Sequence, residues 1–129
     1  KMGMAIGQSS IESATPLALF SMKDGIPDWA QLLKLVKQWQ PNVFLVGLPL
    51  NMDDSESELS ARARKFARRL RHQTNIETFM VDERLTTREA RGELENYQSQ
   101  GRGKKLSADS IAAALLIESW YRNPEGITP

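Results

Sequence analysis

The 129 residues are 40% hydrophobic and 26% charged, an ordinary globular balance that suits one domain, residues 1–129, and leaves no room for a second. Cysteine is absent and His72 is the one histidine, which excludes disulfides and thiolate metal sites and leaves a histidine zinc centre unsupported; a metal here would be a hard cation on carboxylates. No apolar run approaches a membrane span, the start does not read as a signal peptide, and the net charge of +1 hides two local basic clusters.

Residues 2–8 (MGMAIGQ) alternate small and apolar side chains and predict a strand, with Gly3 and Gly7 marking close backbone approach. Residues 14–22 (ATPLALFSM) predict a second strand, placed at an edge by Pro16, and KDGIP predicts a turn. Asp28 caps a helix whose apolar stripe is Trp29, Leu32, Leu33, Val36 and Trp39, ended by Pro41. Residues 43–50 (VFLVGLPL) form a continuous apolar run, as in a strand buried on both faces.

The polar loop NMDDSESE follows, and Ser55 with Glu58 fits a capping box. The helix it opens is expected to bury Leu59, Ala63, Phe66, Ala67 and Leu70. Residues 76–81 (IETFMV) alternate as a strand. Thr86 with Glu89 opens a further helix to about residue 97, QSQGRGKKLS is a basic loop, and Ser107 caps a last helix to about residue 121 before NPEGITP trails off. The order β-β-α-β-α-β-α-α predicts one α/β domain, a mixed sheet flanked by helices.

Three features carry chemistry. Asp82 and Glu83 stand where a strand surfaces, and ligands of α/β sheets bind beyond the carboxyl ends of strands; a polar strand end before a helix cap would look the same. Asp109 lies in the first turn of the last helix, where acids also favour the macrodipole, but the alanines at 112–114 allow that helix to lie close to the sheet. Arg62, Arg64, Lys65, Arg68, Arg69, Arg71 and His72 crowd one helix without interleaved acids. Such a face is either solvated or neutralised by a phosphate backbone. Arg102, Lys104 and Lys105 form the second basic cluster. Clustered carboxylates on Mg²⁺ or Mn²⁺ are what phosphodiester cleavage needs.

MGMAIGQ, FLVGLPLNMD, VDERLTTREA and ADSIAAALLIESW, in this order and spacing, resemble the YqgF/RuvX family of pre-16S rRNA nucleases or Holliday-junction-resolvase-like proteins. The resemblance covers nearly the whole chain. It implies a ribonuclease H-like fold, a cytoplasmic protein, and a metal-dependent endo- or exonuclease, a phosphodiester hydrolase of ribosome biogenesis that trims the 5′ end of precursor small-subunit RNA. It implies a metal site of Glu83 and Asp109, with Asp82 the weaker candidate, completed by an Asp on a first strand. That strand is expected to precede Lys1, so the residues given make an incomplete catalytic set, not expected to cut by themselves. Arg84, Arg64, Arg68, Arg71, Lys104, Lys105 and Asn51 are the expected nucleic-acid contacts, with Asp53 lining the same cleft. Two alternatives stand beside this: a resolvase of branched DNA, which needs two sites in a homodimer where the nuclease can be a monomer, and a non-catalytic RNA- or ribosome-binding factor.

Overall fold

The computed structural model describes residues 1–84 and 107–129. The chain divides into two compact units, Lys1–Ile26 with Arg84–Pro124, and Pro27–Glu83 with Glu125–Pro129. The helix expected to open at Thr86 and Glu89 lies outside the described residues, as do Arg102, Lys104 and Lys105.

In the first unit, Ala5–Gln8 (β1) pairs antiparallel with Ser13–Pro16 (β2), with Ala5 opposite Pro16 and Gln8 opposite Ser13. A single 3-10 turn, Ser9–Ile11, joins them. The second strand is shorter than its apolar run suggests. Pro16 has no amide hydrogen for a ladder, and after Leu17 the chain rejoins only through a bridge between Met2 and Phe20. The turn at Asp24 and Gly25, both at positive φ, then leads from Met22–Lys23 (β3) to Ile26–Pro27 (β4).

The last helix, Ala108–Arg122 (α3), starts at the expected cap: Ser107 accepts from the amide of Ser110 at 3.1 Å. It buries Ile111, Ala114, Leu115 and Leu116 and packs on β1 and β2. Two glycines permit that approach. A Cβ on Gly3 would lie 2.4 Å from the backbone carbon and oxygen of Asp109, and one on Gly7 would lie 2.5 Å from Tyr121 Oη and Ser13 O. Tyr121 donates to Ser13 O at 2.9 Å, and burial, reinforced by the charge of Glu12, pushes its phenol up from the usual value.

In the second unit, Trp29–Trp39 (α1) is capped by Asp28, which accepts from Gln31 N, and ends at Gln40 in the left-handed region, just before Pro41. Leu32 is buried, whereas Trp39 at the end of the expected stripe is about half exposed. Val43–Leu48 (β5) and Glu77–Asp82 (β6) run parallel, in register from Val43 opposite Glu77 to Leu48 opposite Asp82. Glu58–Thr74 (α2) covers both strands. Leu48, Ala67 and Met80 are buried together, with Val46, Leu50, Ala63 and Ile127 packed around them. Burying side chains of this size stabilises the fold by about 1.5–3 kcal/mol each for the larger ones.

Two local expectations change here. The cap of α2 is Ser57, not Ser55: Ser60 N donates to Ser57 Oγ and Ser57 N to Ser60 Oγ. Ser60 also donates its hydroxyl to Pro49 O, which draws that residue fully inside. The buried line is therefore Ser60, Ala67 and Leu70 with Ala63 partly covered, and Leu59, expected inside, is exposed. Nor does NPEGITP trail off. Ile127 bridges Met80, with Met80 N to Ile127 O at 2.7 Å and the return bond at 2.9 Å, so the segment is pinned to the edge of β6 at that residue.

Candidate active site

Each acid is positioned within its own unit. Asp82 is the last residue of β6 and Glu83 the next; both are half-buried, as is Arg84, and all three are engaged in interactions. The amide of Glu83 donates to Leu48 O at 3.3 Å, so Glu83 leaves the sheet beside the end of β5. This is the carboxyl edge of a parallel pair, where α/β folds present ligand-binding groups. Asp109 sits exposed in the first turn of α3, its backbone seated against Gly3. No group of three His, Cys, Asp or Glu gathers as a metal site among the described residues. The donors expected there, Glu83 and Asp109, are hard oxygen ligands of the type that Mg²⁺ or Mn²⁺ takes.

The loop after β5 is tied to itself. Asn51 N donates to Ser55 O at 2.9 Å, Asn51 Nδ2 to Ser55 Oγ at 2.9 Å, and Ser55 N to Asp53 Oδ1 at 3.0 Å. Asn51 and Asp53 therefore shape the loop that follows β5.

The arginine helix is not uniform. Arg64 grips Glu56 with two bonds, Nε at 2.7 Å and Nη2 at 2.8 Å, and gives a third to Thr128 O at 2.7 Å. It holds the loop and residues 125–129 to α2, so its guanidinium is already engaged by protein. Arg62 makes a longer contact with Glu58. Arg69 lies 4.5 Å over the ring of Trp29, which in turn stacks on Phe66 with centroids 5.5 Å apart. Arg68 and Arg71 are exposed, with Lys65 and His72 beside them. The Glu56 partner is not visible as an i,i+4 pair because Glu56 precedes the helix; its signal is the antiparallel bridge of Leu50 to Glu56, which folds the loop back along α2.

The Arg64 hydrogen bonds hold the Glu56 carboxyl below its ordinary 4.5 against the opposing effect of burial, and the Arg64 charge adds the least. A depressed folded value means stability that is present above the ordinary carboxylate range and lost as pH falls through the folded value. Glu56→Gln is therefore expected to be less stable than wild type near neutrality and to converge with it in acid. Urea titrations at about pH 7 and about pH 3 check this; a gap that does not narrow in acid rules the linkage out.

The family model described as "RuvX: Holliday junction resolvase" matches residues 1–123. The chain belongs to the RuvX family. Among the relatives of this RuvX chain, one from Acinetobacter baylyi is 81% identical over 129 residues, covering 100% of this chain and 88% of its own. One from Haemophilus ducreyi is 47% identical over 122 residues (95% and 88%), and one from Marinobacter nauticus 45% identical over 126 residues (98% and 88%). All three carry the name "Putative pre-16S rRNA nuclease". The α/β elements described above, helices with short parallel and antiparallel strand pairs, agree with the ribonuclease H-like architecture expected of RuvX proteins. No helix among the described residues is long and apolar enough to cross a membrane.

Proposed function

We propose that the protein is a cytoplasmic, divalent-metal-dependent nuclease that trims the 5′ end of precursor 16S ribosomal RNA. The observation that carries this reading is the shared name of relatives matched along the whole chain, the first at 81% identity. The chemistry of the residues supports it. Glu83 and Asp109 are the proposed ligands of Mg²⁺ or Mn²⁺, with Asp82 in reserve. The ion, when bound, activates water and stabilises charge on the leaving oxygen. Arg84, next to Glu83, is placed to hold a phosphate or to offset the charge of its acidic neighbours. Arg68 and Arg71 hold the RNA backbone, joined by Lys104 and Lys105 of the second basic cluster.

The test is cleavage of precursor RNA by the native full-length protein in Mg²⁺ or Mn²⁺. Cutting that stops on chelation is expected; RNA binding that is indifferent to metal and never followed by cutting sinks the nuclease and favours a binding factor. The phosphate contacts have their own readout. Arg68→Ala with Arg71→Ala is expected to weaken binding of every RNA tested alike and to reduce the salt slope of affinity by about one for each arginine. An unchanged slope removes this face from the interface.

The description of the family model favours one second reading, a resolvase of branched DNA. Resolution of a four-way junction needs two sites related by symmetry. Sedimentation as a strict monomer, with and without junction DNA, excludes it.

A further inference from the structure

We propose that Met52 is a base-contacting wedge, held out by a locked loop at the edge where Glu83 leaves the sheet. The inference deepens the reading of this protein as an RNA nuclease and rests on it for the choice of ligand. Met52 is 95% exposed, while the other four methionines are buried or half-buried. A single exposed apolar side chain is ordinary. What distinguishes this one is how it is held.

Residues 51–55 form a closed turn: Asn51 N bonds Ser55 O, Asp54 N bonds Asn51 O at 3.0 Å, and the side chains of Asn51, Asp53 and Ser55 bond one another at its surface. Leu50 bridges Glu56 at its base, Arg64 grips Glu56 from α2, and Ser60 holds Pro49 O. These polar side chains are exposed but bonded to one another, and the apolar Met52 stands free of them at the surface. Ordering a segment on binding costs conformational entropy; here that ordering is already in place, so a contact at the tip is not diluted by it.

The location gives the contact its meaning. The loop springs from the end of β5, Leu48 is in register with Asp82, and Leu48 O receives the amide of Glu83. An RNA strand drawn to Glu83 would meet the loop that leaves the neighbouring strand end. Methionine is unbranched and polarisable, and apolar side chains of this kind insert between base steps or cover an unstacked base. Structured RNA is read mainly at bases that can be splayed out of their stack. Met52 would hold such a base open next to the scissile phosphate.

The experiment uses the full-length protein and precursor RNA carrying 2-aminopurine near the cleavage position. Its fluorescence, which rises on unstacking, is expected to rise with wild type and with Met52→Leu, and to stay flat with Met52→Ala. Met52→Ala is also expected to weaken RNA binding about tenfold, with urea stability and salt slope unchanged because the phosphate contacts are intact. Mild peroxide, which oxidises exposed methionine first, is expected to lower RNA affinity in wild type but not in Met52→Leu. Wild-type affinity and signal in Met52→Ala overturn the proposal. A Met52-dependent signal from a protein that binds but never cuts keeps the wedge and discards the nuclease.

Discussion

Asp109→Asn is expected to lower metal-dependent cleavage by roughly a thousandfold or more, the loss that follows when several kcal/mol of transition-state stabilisation is removed. The substitution is close in shape and removes only the charge. The helix it stands on does not depend on that charge, because Ser107 caps α3 through Ser110. The helix dipole loses a favourable anion, which costs about 0.3–1 kcal/mol. The two effects are therefore separable: single-turnover cleavage in Mn²⁺ reads the first and thermal unfolding the second. Asp109→Asn that cuts like wild type withdraws Asp109 from the metal site.

Gly3→Ala is the second large expected effect, and it acts on the same residue from behind. The added Cβ would stand 2.4 Å from Asp109 C and O and 2.8 Å from Asp109 Cβ. Two of these atoms are helix backbone, which cannot swing aside as the end of a long side chain can. The first turn of α3 has to shift, and overpacking of this kind costs about 1–3 kcal/mol. Cleavage is expected to fall with it, by more than the unfolded fraction explains, since Asp109 moves. Urea unfolding gives the first quantity and the rate under fully folded conditions the second. A Gly3→Ala protein as stable and active as wild type would show that the close approach is not needed.

The sequence made some of this legible and hid the rest for identifiable reasons. Asp28 and Ser107 stand alone before their helices, so their caps could be read directly. Before α2 two serines compete, and Ser55 with Glu58 matches the capping pattern better than Ser57 with Ser60. What decides between them is Pro49 O, distant in sequence, which takes the Ser60 hydroxyl. With Ser60 turned inward by that bond, Leu59, the residue before it on the helix, falls outside. The arginines were legible as a cluster, but Arg64 differs from Arg68 only through partners at Glu56 and Thr128 that helical spacing does not reach. For the candidate site, Glu83 could be located at a strand end from the apolar run before it. Its bond to Leu48 O depends on the parallel pairing of β5 with β6, and the exposure of Met52 on loop closure, neither of which leaves a periodic trace.

The pairing of Ile127 with Met80 bears on how the protein is made. The second unit takes its main part from residues 27–83 but its edge partner from residues 125–129. During synthesis residues 27–83 emerge before residues 125–129, with Met80 on the outer side of β6 still lacking its backbone partner. Open strand edges recruit other chains, and a contact spanning so much sequence closes slowly. Nascent polypeptide is therefore most vulnerable to misassembly in the interval before residue 127 clears the ribosome.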